Sequence, residues 1–195
     1  MLSICGAYPS QDVVAQSALI RAAIKWSKKT GKFRDGNPQL HNLAAAAFTE
    51  NAMFDKAQQH FLRGDQPHEF ARMLARWSSQ GYSSEADLFL ARAVLGLLVL
   101  KNMRDANALY SEVTKGVGEL TPMHNFLRFL LLVLERDAAP LFQDLRKRYA
   151  PTIDRDGSLH MFLDAIGQTY YNIQPTQNGF ASMMQDMMKG LMGPQ

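Results

Sequence analysis

The stretch GNPQLHNLAAAAFTENAMFDKAQQHFLRG, residues 36–64, decides the fold. Asn37 followed by Pro38 reads as an N-cap and a first helical position, where proline's missing N–H is no loss. Gly64 closes the second of two helices that share the stretch. Phe48, Ala57 and Phe61 stand at tetratricopeptide spacing, with Ala44 and Ala45 where that pattern places its Leu-Gly pair. Alanine lets two helices touch, and the aromatic rings wedge into the gap. Ala106 and Tyr110 repeat the alanine–aromatic piece.

The same punctuation runs outward from this pair in both directions. Ser10 is placed to cap VVAQSALIRAAIKWSKK, which stops at Gly31. Pro67 opens PHEFARMLARWSSQG, Ser84 is placed to cap EADLFLARAVLGLLVLKN, and a shorter helix follows around ANALYSEVTKG. Thr121 and Pro122 open MHNFLRFLLLVLER, Asp137 stands ready to cap AAPLFQDLRKRYA, and Ser158 starts LHMFLDAIGQTYY. With a last helix in ASMMQDMMKGLM, this predicts ten helices joined by short links and almost no strand, hence antiparallel neighbours. They form a closed bundle or an open stack. The partial tetratricopeptide match favours the stack, an all-α, right-handed α-solenoid of tetratricopeptide-like helix pairs. The expected organisation is a single helical-repeat domain over 1–195, with 172–195 a turn or small hairpin followed by the methionine-rich helix.

Composition is that of a globular chain, 47% hydrophobic and 20% charged, with a net charge of +3. The charge is uneven. Arg21, Lys25, Lys28, Lys29, Lys32 and Arg34 face no acid between positions 21 and 34, and Arg146, Lys147 and Arg148 cluster again. Lys28 and Lys29 suit the last turn of a helix, where cations complement the dipole, and no aromatic platform or binding motif accompanies the charge, so nucleic acid is not an expected partner. The single cysteine, Cys5, excludes an intrachain disulfide and a multi-cysteine metal site. There is no leader-like start, and AVLGLLVL at 93–100 is far shorter than a membrane span. These features predict a cytoplasmic protein without direct membrane insertion.

No constellation for catalysis stands out. His41, His60, His68, His124 and His160 are scattered, with no pair at helical i+3 or i+4 spacing. HEFA at 68–71 continues to Arg72 where a zinc-protease motif needs its second histidine. DRDG at 154–157 fits a calcium loop only if Leu163 were an oxygen ligand, so it reads as a helix-start turn. GVGEL at 116–120 lacks the lysine and the preceding strand of a phosphate loop. The expectation is a protein that is not an enzyme and holds no cofactor or metal.

The carboxyl end carries the binding signal. In ASMMQDMMKGLM, residues 181–192, five methionines fall mostly on one helical face. Such a face caps the last helix pair, grooves a hydrophobic client, lies on a membrane, or helps to clasp a partner; with Lys189 as its only cation, the membrane is the weakest choice. Just before it, YYNIQPTQNG presents two tyrosines beside an Asn-Gly turn, the usual chemistry of interface anchors. The candidate partner-binding residues are Phe126, Phe129, Leu130, Tyr170, Tyr171, Ile173, Met184 and Met187; for the first three the alternative is plain core.

Taken in order, IRAAIKWSKKTGK, GNPQLHNLAAAAFTENAMFDKAQQHFLRG, EADLFLARAVLGLLVLKN, NFLRFLLLVLER, FLDAIGQTYY and the terminal GLMG resemble the C-terminal half of the Golgi-to-ER traffic protein four family. The resemblance spans about residues 8–193. It implies a non-catalytic cytosolic scaffold for delivering tail-anchored membrane proteins to the endoplasmic reticulum. It also implies that the C-terminal third grips a ubiquitin-like adaptor or, in animals, a BAG-family scaffold. The family's N-terminal half docks the targeting ATPase; those helix pairs are missing here, so ATPase docking is not expected of this chain, which reads as a short form or a truncation. The competing expectation is a chaperone-like binder of hydrophobic client helices on the methionine-rich face.

Overall fold

The computed structural model describes residues 13–31 and 33–174, and divides the chain into two compact units, Met1–Tyr82 and Ser83–Gln195. The Ser10 cap, the methionine-rich helix and the hairpin beyond Gln174 lie outside the described residues. Every regular element within them is helical. The all-α, helix-pair class expected from the sequence is the one the chain adopts.

In the first unit α1 spans Val13–Thr30, α2 Pro38–Glu50, α3 Phe54–Phe61 and α4 Pro67–Ser78. Neighbours in sequence are neighbours in space. Asn37 caps α2 by accepting the amide of Gln39 at 2.9 Å. Gly36, at φ +97°, makes the turn before it, where an added Cβ would meet Ile24 and Ser27 at 3.1 Å. The expected tetratricopeptide positions form the core: Ala44, Ala45 and Ala57 are at most 1% exposed, and Phe48 and Phe61 are buried. Phe61 stacks on Phe70 of α4 with the ring centroids 5.1 Å apart. Asn42 accepts the amide of Asp65 and donates to its carboxylate, pinning the link that leads to α4.

In the second unit a 3₁₀ turn at Ser83–Glu85 leads into α5, Ala86–Val99, followed by α6, Met103–Thr114, and α7, Pro122–Glu135. Next come α8, Ala139–Arg148, the short α9, Ala150–Ile153, and α10, Ser158–Tyr171. Ten of the 14 residues of α5 are buried, because α6, α7 and α10 all pack on it. The unit has an internal period. Helices α5, α7 and α10 are each 14 residues long and begin 36 residues apart, at Ala86, Pro122 and Ser158. Equivalent positions share one fate: Asp87, Met123 and Leu159; Ala91, Leu127 and Leu163; Val94, Leu130 and Ile166 are all buried. These three sets lie four and then three residues apart, so each helix turns one stripe inward.

The ends of these helices differ from two sequence expectations. Ser84 does not cap α5: it sits inside the 3₁₀ turn, and its carbonyl accepts a hydrogen bond from Arg155. Nor does Asp137 cap α8. It closes α7 instead, in the left-handed region at φ 50°, with the amide of Ala138 returning to the carbonyl of Val133 at 3.2 Å. Ala52, Lys101 and Asn172 take the same left-handed conformation after α2, α5 and α10. The expected cap of α7 is present, with Thr121 and His124 forming a reciprocal capping box.

The DRDG segment is the lead-in turn of α10, and its charges are engaged within the unit. Arg155 grips Asp87 of α5 with two hydrogen bonds of 2.9 and 3.0 Å, while the Thr121 hydroxyl donates to the same carboxylate at 2.8 Å. Asp156 accepts from Arg92 at 2.7 Å and from the Ser158 amide at 2.9 Å. Burial alone would raise the pKa of Asp87, but the bonds from Arg155 and Thr121 outweigh it and hold the carboxyl below its ordinary value. The stabilisation from this depressed group is complete above pH about 4 and is lost as pH falls through the folded-state value. Arg155→Met should lower unfolding stability by about 1–2 kcal/mol at pH 7, a figure discounted for the exposed part of the arginine. Urea unfolding at several pH values tests this: the gap to the unmodified chain should close in acid, and a gap that persisted at pH 3 would contradict the role given to Asp87.

Candidate functional site

The outer face of α7 breaks the normal division between apolar inside and polar outside. Its inner stripe, Met123, Phe126, Leu127, Leu130, Leu131 and Leu134, is buried. On the opposite side Phe129 and Leu132 remain 44% and 38% exposed. Across from them, Leu141 in the first turn of α8 is 54% exposed. Phe129, Val133, Leu141, Leu145 and Tyr149 wall a groove of about 430 Å³, with Asp144 and Arg148 also lining it. An apolar floor with two opposite charges alongside matches the anatomy of a polypeptide docking site.

The groove is supported from behind. Phe126 is wholly buried and lies against the ring of Tyr149, with the centroids 5.6 Å apart. Phe142, also wholly buried, is covered by Tyr171 at 5.4 Å and touches Gly167, where an added Cβ would stand 3.2 Å from its ring. The hydroxyl of Tyr171 donates to the carbonyl of Val133 at 3.1 Å. That carbonyl also accepts the Ala138 amide, so both of its lone pairs are used at the end of α7. Arg146 does not join the site as a free cation: it donates to Asp164 at 2.7 Å and lies over the Phe142 ring.

The candidate residues therefore separate. Phe129 lies on the surface, in the groove. Phe126 and Leu130 are 0% exposed, so they serve as core beneath it. Tyr170, Tyr171 and Ile173 are half-buried at the end of α10, and Tyr171 reaches the groove through the backbone of Val133. The Tyr170 hydroxyl is buried without a hydrogen-bond partner. Met184 and Met187 lie outside the described residues. Leu132, Leu141 and Tyr149 were not among the sequence candidates. The 36-residue period was the available signal, because it aligns Leu130 with buried Val94 and Ile166, and Phe129 with two alanines, Ala93 and Ala165.

The family described as Golgi to ER traffic protein 4 matches residues 2–192. This chain belongs to that family. The Golgi to ER traffic protein 4 homolog of Dictyostelium discoideum is 39% identical over 186 residues, covering 93% of this chain and 60% of that protein. Protein GET4 of Arabidopsis thaliana is 39% identical over 182 residues, covering 89% of this chain and 56% of that protein. The crystal structure of C. therm. Get4 superposes with a TM-score of 0.77 at 29% identity, covering 93% of this chain and 64% of that one. The chain thus spans about three-fifths of the length of these Golgi to ER traffic protein 4 relatives. No described helix is long and apolar enough to cross a membrane.

Tyr171 offers a check on how the groove is built. Tyr171→Phe keeps the ring on Phe142 and removes only the hydroxyl that reaches Val133, so it should cost about 1 kcal/mol in urea unfolding. An unchanged stability would place the hydroxyl in solvent rather than on the end of α7.

Proposed function

We propose that this chain is a non-catalytic scaffold in the cytosolic delivery of tail-anchored membrane proteins to the endoplasmic reticulum, holding an extended segment of a ubiquitin-like adaptor in the α7–α8 groove. Membership of the Golgi to ER traffic protein 4 family supports the pathway. The single observation that favours this docking place is the exposed trio Phe129, Leu132 and Leu141 around one groove. A BAG-family scaffold competing for the same surface is the alternative partner.

Magnitudes limit what the groove does alone. Fully burying a large apolar side chain contributes roughly 1.5–3 kcal/mol, and these three are already about half covered, so sealing them gives roughly 3 kcal/mol in total. A micromolar complex needs about 8 kcal/mol beyond the cost of association. The adaptor must therefore reach past the groove, and the Tyr170–Ile173 end of α10 and the methionine-rich segment are the continuation this proposal assigns to it.

Phe129→Asp combined with Leu141→Asp places charge on two exposed positions, so the circular dichroism should stay helical while adaptor affinity, read by calorimetry, falls about a hundredfold, equivalent to about 2.7 kcal/mol. Normal affinity in that variant would remove the groove from the interface. Crosslinking to a panel of unrelated transmembrane peptides separates the client-chaperone alternative, since a specific scaffold leaves them unlabelled.

A further inference from the structure

The first unit contains a cavity unconnected with the partner groove. Helix α1 presents Arg21, Lys25 and Lys28 at i, i+4 and i+7, one face of the helix, and α3 is followed by Arg63. These four cations, with His41 of α2 and His60 of α3, line a cavity of about 360 Å³. Complementing the helix dipole accounts for Lys28 in the last turn but not for Arg21 and Lys25 further back. Like charges at i, i+4 destabilise a helix, and no carboxylate is among the groups that line the cavity. Asp35 is the nearest acid: it faces His41 from the α1–α2 link, and what it places on the imidazole is its backbone carbonyl.

The two imidazoles are locked in a defined proton arrangement. His41 Nε2 lies 2.9 Å from the Asp35 carbonyl, which can only accept, so that nitrogen carries the proton. His41 Nδ1 is then a bare acceptor, and His60 Nδ1, 3.0 Å away, must donate to it. His60 Nε2 remains as the pair's open proton-accepting atom, on a ring stacked against Phe48. Burial, then the charge of His41 and Arg63, pushes His60 down to about 4, and His41 is lowered as well, first by burial and then by Arg63 and Lys28. At neutral pH both rings are uncharged, and the arginines and lysines give the cavity its positive charge.

We propose that this cavity binds a phosphate monoester dianion, carried either by a free phosphorylated compound or by a phosphorylated side chain. Four cations over-neutralise a single carboxylate, whereas a dianion with three equivalent acceptor oxygens meets the guanidinium and ammonium donors together. The bound anion favours imidazolium, so it raises the His60 titration point, and by linkage a proton on His60 strengthens anion binding.

The test uses the full chain at pH 7 and constant ionic strength, with histidine ring resonances followed by NMR. The titrants are inorganic phosphate, a neutral peptide bearing phosphoserine, and the same peptide with glutamate in that place. Saturable shifts of His41 and His60 are expected with phosphate and phosphopeptide, together with a His60 midpoint above 4. Lys25→Gln with Lys28→Gln should weaken binding about tenfold or more, while Lys29→Gln with Arg34→Gln, which removes equal charge elsewhere, should leave it unchanged. Arg63→Gln is the second variant should the lysine pair lose helicity. Tighter binding of the phosphopeptide than of free phosphate identifies a protein-borne group; equal binding identifies the free anion. Absence of saturable shifts, equal loss in both charge-matched variants, or equal binding of the glutamate peptide would overturn the proposal.

Discussion

Helix α5 has apolar side chains on every side, and nothing in the second unit can be arranged without covering it. Leu88, Leu90, Ala91, Ala93, Val94, Leu95, Leu97 and Leu98 are each at most 5% exposed. One partner helix covers only a stripe of such a surface, so α6, α7 and α10 all have to close on it. Small residues make the approach close: Ala91 and Ala93 of α5 and Ala106 of α6 are 0% exposed. The Arg155–Asp87 pair then fixes where the lead-in to α10 meets the first turn of α5. Its partners are well enough supplied with hydrogen bonds that the buried carboxylate is compensated rather than stranded.

The groove follows from that demand. Because α7 commits the stripe Met123–Leu127–Leu130–Leu134 to the unit's interior, whatever apolar character it carries on its other side has no place within the second unit. The third helix of the 36-residue series, α10, returns to α5 and not to the outside of α7, so Phe129 and Leu132 meet only the opening turns of α8. Tyr171 from α10 and the turn at Asp137–Ala138 both finish on the Val133 carbonyl. One wall of the groove is thereby tied to the end of the helix where the partner-binding residues were expected.

Helix starts were legible in the sequence because their signals are local. Asn37-Pro38 and Thr121-Pro122 cap as their chemistry requires, and the Phe48, Ala57, Phe61 spacing correctly marked a core. Helix ends were less legible. Four helices stop at Ala52, Lys101, Asp137 and Asn172, and of these only asparagine is a common choice for a left-handed position. Asp137 was taken for a cap because its side chain suits one; its backbone was already engaged in closing α7. Ser84 was displaced by a residue 71 positions away, Arg155, a long-range contact that local signals do not carry. The His41–His60 contact, 19 residues apart and on different helices, escaped a search for i+3 and i+4 pairs for the same reason.

Phe126, Phe129 and Leu130 looked alike in the sequence, since a run such as NFLRFLLLVL offers an apolar residue to every side of a helix. Comparison between the repeats separates them. At the position of Leu130 the other two helices have Val94 and Ile166, all three at 0% exposure, so a branched apolar residue is demanded by packing. At the position of Phe129 they have Ala93 and Ala165, which shows that the repeat itself needs no bulk there. A phenylalanine left 44% exposed adds little to folding and leaves apolar surface in water. Folding energetics therefore account for the aliphatic residue at 130 but not for the ring at 129, and contact with another polypeptide is the physical role that remains for it.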